Sequence, residues 1–334
     1  MRKAIITGIS GQDGAYLSEL LLNKNYKVIG IVRPGNDVDL VGLEFLKIRD
    51  RIVFEDINLL SSGQVGSIIK KYQPDEFYNL AAQSSVGVSF QEPQVTVKFN
   101  VLSVLNILES IRKHSPETRY YQASSSEMFG NFRPEQLPVK GTELFHPASP
   151  YGISKASAHW ITVNFREAYK LYTSCGILFN HESCLRKDSF VIKKIIKTAL
   201  AIKNGSENKL ELGNISVLRD WGYAPKYVEA MWLMLQRKEP KDYLICSGNV
   251  TSLESFAKEV FSQLGLNFGR YVRCDKSLLR NLELDCIYGD NSRAKKDLSW
   301  DYELSNKELI NQLLKDEREF QIFKHGRSCS SLKS

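Results

Sequence analysis

Apolar and polar positions alternate in two different rhythms along the first half of the chain. Short runs rich in β-branched residues are typical of buried strands, and they lie at Lys3–Thr7, Lys27–Val32, Arg51–Phe54, Glu76–Leu80, Arg119–Ala123 and Ser174–Phe179. Longer stretches with helical spacing lie between them, at Tyr16–Asn23, Ser62–Tyr72, Val95–Lys113 and Tyr151–Tyr169. This alternation predicts an α/β fold, a Rossmann-type, doubly wound parallel sheet with helices on both faces.

The pattern loosens beyond about residue 180. Helical stretches predominate there, at Val191–Lys203, Lys226–Gln236, Ser252–Leu264 and Asn306–Phe323, with short strands between them. We therefore expect a Rossmann domain over residues 1–178 with a return segment near 219–247, and a smaller mixed α/β lobe formed by residues 179–218 and 248–334. The serine-rich end, Ser328–Ser331, is predicted to be a frayed tail.

Composition excludes several classes of protein. With 334 residues, 43% hydrophobic and 25% charged, the chain is typical of a globular protein and not of a disordered one. The net charge of +7 is carried by scattered basic residues; their small clusters are interpreted first as solvated faces, then as a pocket for an anionic ligand, and last as a nucleic-acid surface. We expect no nucleic-acid partner.

The cysteines and the hydropathy pattern bear on the cellular setting. The six cysteines show no CxxC or other metal-ligand spacing, so no metal is expected. Sparse cysteines and a start that passes directly into a strand pattern favour a reducing, cytoplasmic setting. No apolar run approaches the roughly 18 residues of a membrane-spanning helix, so no membrane partner is expected.

A glycine-rich loop follows the first predicted strand. Its candidate cofactor-binding residues are Thr7, Gly8, Gly11, Gln12, Asp13 and Gly14. Glycines at such a junction allow a tight turn and close approach to a pyrophosphate, whose charge the helix N-terminus favours. A plain turn is the alternative. The position of the loop, at the first strand–helix junction, favours the dinucleotide site.

The ends of the next strands indicate which dinucleotide. Arg33 follows the second strand, where an acidic residue would hold a ribose 2′-hydroxyl and an arginine pairs with a 2′-phosphate. We therefore predict NADP rather than NAD, the alternative being that Arg33 is a solvated loop charge. Further along, Asp56 and Ile57 are expected to flank an adenine, and Leu80, Ala81 and Ala82 to run past the middle of the cofactor.

The candidate chemistry centres on Tyr151 and Lys155, which are four residues apart and so share one helix face. A nearby ammonium favours tyrosinate, so we expect Lys155 to lower the pKa of Tyr151. Ser125 is the expected hydroxyl partner, completing a Ser–Tyr–Lys redox triad. Glu127 adds a second acid/base, as proton abstraction beside a carbonyl and loss of water require; its alternative role is that of a loop cap or ion-pair partner.

With these residues in place, the chain resembles the GDP-mannose 4,6-dehydratase family of extended short-chain dehydrogenases/reductases over nearly its whole length. The matching stretches are Thr7–Tyr16, Tyr78–Ser84, Tyr121–Gly130, Ser149–Lys155, Leu178–Ser183, Leu212–Gly222, Tyr227–Gln236 and Gly289–Trp300. The LFNHES run within Leu178–Ser183 and the RDWG run that ends at Gly222 are specific to this branch.

The resemblance implies a lyase with tightly bound NADP. Tyr151 would take the 4-hydroxyl proton of a GDP-sugar as hydride leaves C4, Glu127 would remove the C5 proton, and water would leave C6 with Ser125 and Glu127 assisting; Lys155 would orient the ribose. The implied substrate-binding residues are Ser84, Ser85, Asn180, Glu182, Lys194, Leu212, Gly213, Arg219, Arg280 and Glu283. The family also implies a homo-oligomer, a dimer or a tetramer.

Several departures from the family pattern leave the sugar open. Cys184 and Leu185 replace residues of the family's HESPRRG run, Ser85 stands where the family has His, and Lys226 replaces an Asp. The segment after Arg33 lacks the family's second arginine and the loop through which subunits share cofactor contacts. A GDP-mannose dehydratase, a GDP-manno-heptose dehydratase, and a C4 epimerase or 4-keto reductase all stay open. A non-catalytic NADP-binding regulator is disfavoured because Tyr151 and Lys155 are both present.

Overall fold

A computed structural model describes residues 1–35, 38–206, 208–279 and 282–331 of the chain, with the side chains of 328–331 excepted. Its largest element is a seven-stranded sheet. The strands are β1 (Lys3–Thr7), β2 (Lys27–Val32), β3 (Val53–Asp56), β4 (Glu76–Asn79), β5 (Arg119–Ser125), β6 (Thr173–Leu178) and β10 (Tyr243–Ile245). They lie in the order β10-β6-β5-β4-β1-β2-β3, and every pair is parallel. The strand order is the doubly wound arrangement that the sequence predicted.

Helices cover both faces of this sheet. They are α1 (Gln12–Asn23), α2 (Val41–Phe45), α3 (Ser62–Tyr72), α4 (Val86–Gln91), α5 (Pro93–His114), α6 (Pro150–Tyr169) and α8 (Ala224–Leu235). One apolar cluster lies between the sheet, α1 and α8, and another lies between the sheet, α3, α5 and α6. The central strands are consequently buried on both faces; Ala4, Ile5 and Ile6 of β1 are fully inaccessible, as a parallel strand between two helix layers requires.

The smaller lobe carries two short sheets and its own core. Its strands are β7 (Asn180–Glu182), β8 (Leu210–Leu212), β9 (Leu218–Tyr223), β11 (Val250–Ser252), β12 (Val272–Cys274) and β13 (Cys286–Ile287). β9 pairs with β7, β11 and β13, and β8 pairs with β12. The helices are α7 (Val191–Lys203), α9 (Leu253–Gln263), α10 (Phe268–Tyr271) and α12 (Asn306–Ser331). Helix α11 (Ser292–Leu298) instead packs against α8 and β10 of the large sheet. Residues of α7, α9 and α12 form the apolar core of this lobe.

Most predicted elements lie within two residues of their observed bounds; helices α1 and α12 do not. Helix α1 begins four residues before the predicted Tyr16, directly after Gly11. Strand β3 is displaced by two residues towards its C-terminal end. Helix α12 continues to Ser331, so the prediction of a frayed Ser328–Ser331 tail is wrong for the backbone. No helix within the described ranges is both long enough and apolar enough to cross a bilayer.

Candidate active site

The glycine-rich loop forms a tight turn against the end of β4. Gly8 has φ +70°, and a Cβ on it would lie 2.9 Å from the backbone nitrogen of Ala81. A Cβ on Gly14 would lie 2.4 Å from the Gly8 carbonyl oxygen, so α1 packs against the loop only because Gly14 has no side chain. A Cβ on Gly11 would contact only the Gly8 carbonyl oxygen, at 3.3 Å, so the protein leaves the N-terminus of the helix accessible there. This cradle fits a pyrophosphate.

Two polar side chains of the loop are engaged within the protein. The Thr7 hydroxyl donates to Asn79 Oδ1 at 2.7 Å and accepts from the backbone nitrogens of Leu80 and Ala81, both at 3.1 Å. Gln12 donates to the carbonyl of His181 at 2.9 Å, and its own oxygen accepts from Ser183. These side chains join the loop to β4 and to the smaller lobe. The loop would therefore contact a cofactor through its backbone groups.

The predicted adenosine residues lie together at the carboxyl ends of β2 and β3. Val32 is in register with Asp56, and the Ile57 nitrogen donates to the Val32 carbonyl at 3.2 Å. Arg33 is exposed, with its guanidinium 5.7 Å from the centre of the Phe99 ring. The carboxyl edge of a parallel sheet is where ligands of this fold class bind, and Arg33 lies at that edge.

The four predicted catalytic residues meet where β5 ends and α6 begins. Ser125 is the last residue of β5, and Glu127 lies in the turn that follows. Ser149 caps α6 by accepting from the Gly152 nitrogen, which places Tyr151 and Lys155 in the first two turns. A Cβ on Gly152 would lie 2.7 Å from the Glu127 carbonyl oxygen, so the helix begins directly against the Glu127 turn.

The ionisation of this group differs from the prediction in one respect. Burial raises the pKa of Tyr151 to about 12, against a hydrogen bond with Ser125 that lowers it, and the Glu127 charge raises it further. Burial also lowers the pKa of Lys155 to about 8. The Lys155 Nζ donates to the Ala123 carbonyl at 2.6 Å and lies 5.9 Å from the Tyr151 ring centre. The expected lowering of the Tyr151 pKa by Lys155 is therefore wrong for the protein alone, because burial dominates.

A cavity of about 380 Å³ extends from these residues into the smaller lobe. Besides the catalytic four, the predicted residues that line it are Asp13, Leu80, Ala82, Ser84, Ser85, Asn180, Glu182, Lys194, Leu212, Gly213, Arg219 and Glu283. Its lining residues do not include the other predicted cofactor-binding residues, Thr7, Gly8, Gly11, Gln12, Gly14, Arg33, Asp56, Ile57 and Ala81, and Arg280 lies outside the described residues. The fold thus brings nearly all of the predicted substrate residues to one cavity.

Two cationic residues line the end of the cavity that lies in the smaller lobe, which we call the smaller-lobe end. Both are held by backbone carbonyl groups. Lys194 donates to the Glu211 carbonyl at 2.6 Å. Arg219 donates to the Leu284 carbonyl at 2.5 Å and lies 3.5 Å from the Glu283 carboxylate. Both side chains are therefore held in fixed positions in the cavity wall.

Sequence reasoning assigned no role to His181 and Arg186, which line the same cavity. His181 Nδ1 is 2.7 Å from the Phe179 carbonyl, and Nε2 is 3.0 Å from the Asp13 carboxylate. The carbonyl and the ionised Asp13 carboxylate both accept, so this geometry favours a doubly protonated His181 ring. Burial opposes this charge, yet Asp13 outweighs it and raises the pKa of His181. A histidine within the family-specific LFNHES run was the available signal.

Arg186 and Glu182 form a second charged pair beside it. Their Nε and Oε2 atoms are 3.6 Å apart, and Glu182 is 3% exposed. Burial raises the pKa of the Glu182 carboxyl, against the lowering effect of Arg186 and His181. The cavity wall between the two lobes is therefore a cluster of alternating charges.

One cluster away from the cavity has metal-ligating residue types. His159, Cys175 and Asp242 place their ligand atoms within 4.8 Å of one another. Both carboxylate oxygens of Asp242 accept from Arg166, at 2.8 and 2.5 Å, and one also accepts from the Cys175 nitrogen. We interpret the cluster as a structural ion pair, since a guanidinium already occupies the carboxylate that a cation would need.

The parallel sheet, the glycine-rich loop and the Ser–Tyr–Lys arrangement define an extended short-chain dehydrogenase/reductase. The fold agrees with the solved structure of RMD from Pseudomonas aeruginosa complexed with NADPH, at a TM-score of 0.80 and 23% identity, covering 95% of this chain and 99% of that one.

Comparison at the level of sequence identifies the family within that class. The sequence model of GDP-mannose 4,6 dehydratase matches residues 5–313. GDP-mannose 4,6 dehydratase 1 of Arabidopsis thaliana is 42% identical over 323 residues, covering 95% of this chain and 90% of that protein. GDP-mannose 4,6 dehydratase of Dictyostelium discoideum is 38% identical over 341 residues, covering 95% and 96%. The chain belongs to the GDP-mannose 4,6-dehydratase family, which confirms the resemblance drawn from its motifs.

Proposed function

We propose that this protein is a GDP-sugar 4,6-dehydratase with GDP-mannose as the substrate favoured by its family, a hydro-lyase that converts the sugar to its 4-keto-6-deoxy form with release of one water. The observation that carries the proposal is the cavity itself, in which Glu127 stands beside the Ser125–Tyr151–Lys155 group and faces the charged residues of the smaller lobe. A redox triad alone suffices for an epimerase or a reductase, whereas elimination needs a further base.

Each residue has one task in this chemistry. Tyr151 takes the proton of the 4-hydroxyl when C4 is oxidised, with Ser125 hydrogen-bonded to its phenol. The resulting ketone acidifies the C5 proton, which Glu127 removes. The C6 hydroxyl leaves as water with the proton that Glu127 took, and C5 receives the proton held by Tyr151 once C6 has been reduced. Tyr151 can accept the 4-hydroxyl proton only as a tyrosinate; burial, which raises its pKa, opposes that form, and the nearby Lys155 charge favours it.

The cofactor in this proposal is tightly held NADP. Bound NADP would supply the hydride chemistry, with hydride accepted from C4 and returned to C6, so no cofactor would be consumed. The loop of Gly8, Gly11 and Gly14 would hold the pyrophosphate, Arg33 the 2′-phosphate, and Lys155 the ribose. The tight turn at Gly8 and the exposed guanidinium of Arg33 support this assignment.

The substrate in this proposal spans both lobes. Lys194 and Arg219 would meet the diphosphate, Glu283 the nucleoside, and Ser84, Ser85, Asn180 and Glu182 the sugar. Ser85 caps α4 by accepting from the Val88 nitrogen, so its small side chain leaves room where the family carries a histidine. The extra room keeps a heptose within reach, with mannose as the reference substrate. The division into a Rossmann domain and a nucleotide-sugar lobe belongs to the same proposal, as does the cytoplasmic setting.

A homodimer is the assembly that the surface supports. Helices α5 and α6 pack side by side, and their outer face exposes Leu102, Leu105, Ile153 and Trp160, the last at 58%. These positions repeat at helical spacing and form one apolar stripe, which a two-fold related copy would cover with its own stripe. Light scattering of wild type and of Trp160→Glu distinguishes a dimer through this face from a tetramer or a monomer.

Product analysis tests the proposed reaction. We expect GDP-mannose to lose one water in mass spectrometry, with no added NADPH and no net absorbance change at the reduced nicotinamide band. CDP- and dTDP-sugars serve as controls for the nucleotide, and GDP-manno-heptose for the sugar. Stoichiometric consumption of NADPH without loss of water would instead show a reductase, and a product of unchanged mass would show an epimerase.

A further inference from the structure

The C-terminal part of α12 leaves its own lobe and crosses to the cofactor side of the molecule. The family match ends at residue 313, and the helix continues to Ser331. Its earlier apolar residues, Leu309 to Leu314, lie in the core of the smaller lobe. The residues after them make contacts of a different kind, with α7 and α2.

An aromatic cluster joins this part of α12 to α2. The Phe45 ring lies 5.1 Å from Phe320 and 5.5 Å from Phe323, both edge-on, and Arg327 forms an ion pair with Glu44. Aromatic pairs of this geometry stabilise beyond the area they bury. Helix α2 is only five residues long, so contacts from outside must provide most of its stability.

A buried ion pair ties the same helix to the glycine-rich end. Lys193 pairs with Glu317, both almost fully buried, and also donates to the Cys184 carbonyl. The Cys184 sulfur lies 3.5 Å from the Tyr16 hydroxyl of α1. On the neighbouring side, a Cβ on Gly42 of α2 would lie 3.3 Å from Leu185. One continuous layer thus runs from α12 through the 184–185 segment to α1 and α2.

We propose that Phe320, Phe323 and Arg327 are positioning residues for the NADP site, which they influence by holding α2. Helix α2 follows Arg33 in the chain and packs on α1, whose N-terminus faces the glycine loop; a Cβ on Gly42 would lie 3.7 Å from the Ala15 Cβ. A dehydratase that regenerates its cofactor gains from slow cofactor release. The inference rests on the proposed NADP site.

The test compares three variants with the wild-type protein. Truncation after Arg318 removes the three residues but keeps Glu317 opposite Lys193. Phe320→Ala/Phe323→Ala removes only the aromatic contacts, in case the truncated chain folds poorly. Ile322→Ala is the matched control, because Ile322 lies on the same helix and is 73% exposed.

Two readouts are measured on each form. Hydrogen exchange without cofactor follows the amides of Glu44, Leu46 and Ile48, which donate within and just after α2. We expect these amides to exchange about tenfold faster in the truncated and double variants and at the wild-type rate in the control. The amides of β1 should exchange at the wild-type rate in every form. NADP dissociation, measured by displacement, should be about tenfold faster in the same two variants.

The outcomes separate the two ideas. Unchanged α2 exchange in both variants overturns the positioning role, and so does faster α2 exchange with unchanged NADP release. A wild-type protein that binds no NADP overturns the proposed cofactor and, with it, this use of the contact, whereas the exchange data still decide whether α12 holds α2.

Discussion

The two ends of the cavity are assembled in different ways. At the catalytic end, Ser125, Tyr151 and Lys155 stand on one strand end and one helix start, and a serine cap and a close glycine contact place them. At the smaller-lobe end, Lys194 and Arg219 come from separate elements and are held by carbonyl groups of residues distant in sequence. Local backbone geometry sets the first group, and long-range packing sets the second.

This difference separates chemistry from selectivity. At the catalytic end, proton transfer requires the side chains to keep their relative positions. Those positions are fixed because the side chains stand on the end of a strand and the start of a helix. At the smaller-lobe end, Lys194 and Arg219 line the cavity and take no part in the proposed acid/base steps. Substrate choice can change there while the acid/base groups stay in place, so substitutions at the two ends should affect different kinetic parameters.

The largest effect is expected at Tyr151. Tyr151→Phe removes the only hydroxyl that can take the 4-hydroxyl proton in the proposed mechanism, so oxidation at C4 and everything after it should slow by about 10⁴-fold, the upper end for acid/base groups. Stopped-flow absorbance of the reduced nicotinamide during a single turnover measures the first step directly. Unimpaired oxidation would remove Tyr151 from the mechanism.

Glu127→Gln should leave oxidation in place and stop elimination. Glutamine keeps the size of the side chain but cannot accept the C5 proton, so dehydration should fall by at least about 10²-fold. In deuterated water the wild-type product should carry deuterium at C5, observed by mass spectrometry. A variant that dehydrates at a near-normal rate would leave Glu127 as a loop cap.

Arg33→Asp should change cofactor preference without touching the cavity. It replaces a cationic partner of the 2′-phosphate with a repelling carboxylate, so NADP affinity should fall by about 10–100-fold and NAD affinity much less. Calorimetric titration with both cofactors measures the ratio. Equal losses would show that Arg33 is an ordinary surface charge.

Lys194→Met should weaken substrate binding and spare catalysis. Loss of one diphosphate contact predicts a KM about tenfold higher with kcat unchanged, the pattern of uniform binding. Lys197→Met on the same helix is the control, because Lys197 pairs with Asp188 and lies outside the cavity lining. A fall in kcat at Lys194 would contradict the separation of the two ends.

The smallest effect is a pH dependence of stability carried by His181, between the two ends. Because Asp13 raises the folded-state pKa of His181, its stabilising effect is complete below the unfolded histidine pKa, about 6.5, and is lost as pH rises through the higher folded value. Unfolding free energy should therefore decline above neutral pH, by up to about 1.4 kcal/mol per pH unit. Thermal melts of His181→Gln should lack this decline; an identical decline would assign it elsewhere.

Some features followed from the sequence alone because they are properties of local backbone. A strand followed by Gly8, Gly11 and Gly14 can form only a compact turn ahead of a helix, and a Tyr–Lys pair four residues apart must share a helix face. The strand–helix alternation likewise implied the parallel sheet, since its crossovers need helices. These features include the Tyr151–Lys155 pair of the predicted catalytic group.

Other features were decided by tertiary structure because they depend on distance through the core. Lys155 was expected to lower the pKa of Tyr151, but burial raises it and the Lys155 ammonium is bonded to the Ala123 carbonyl. The imidazolium of His181 needs a carboxylate 168 residues away in the chain. The C-terminal helix crosses to α2 through aromatic contacts that no local pattern encodes. Desolvation and long-range ion pairing act through space, and only the folded chain sets those distances.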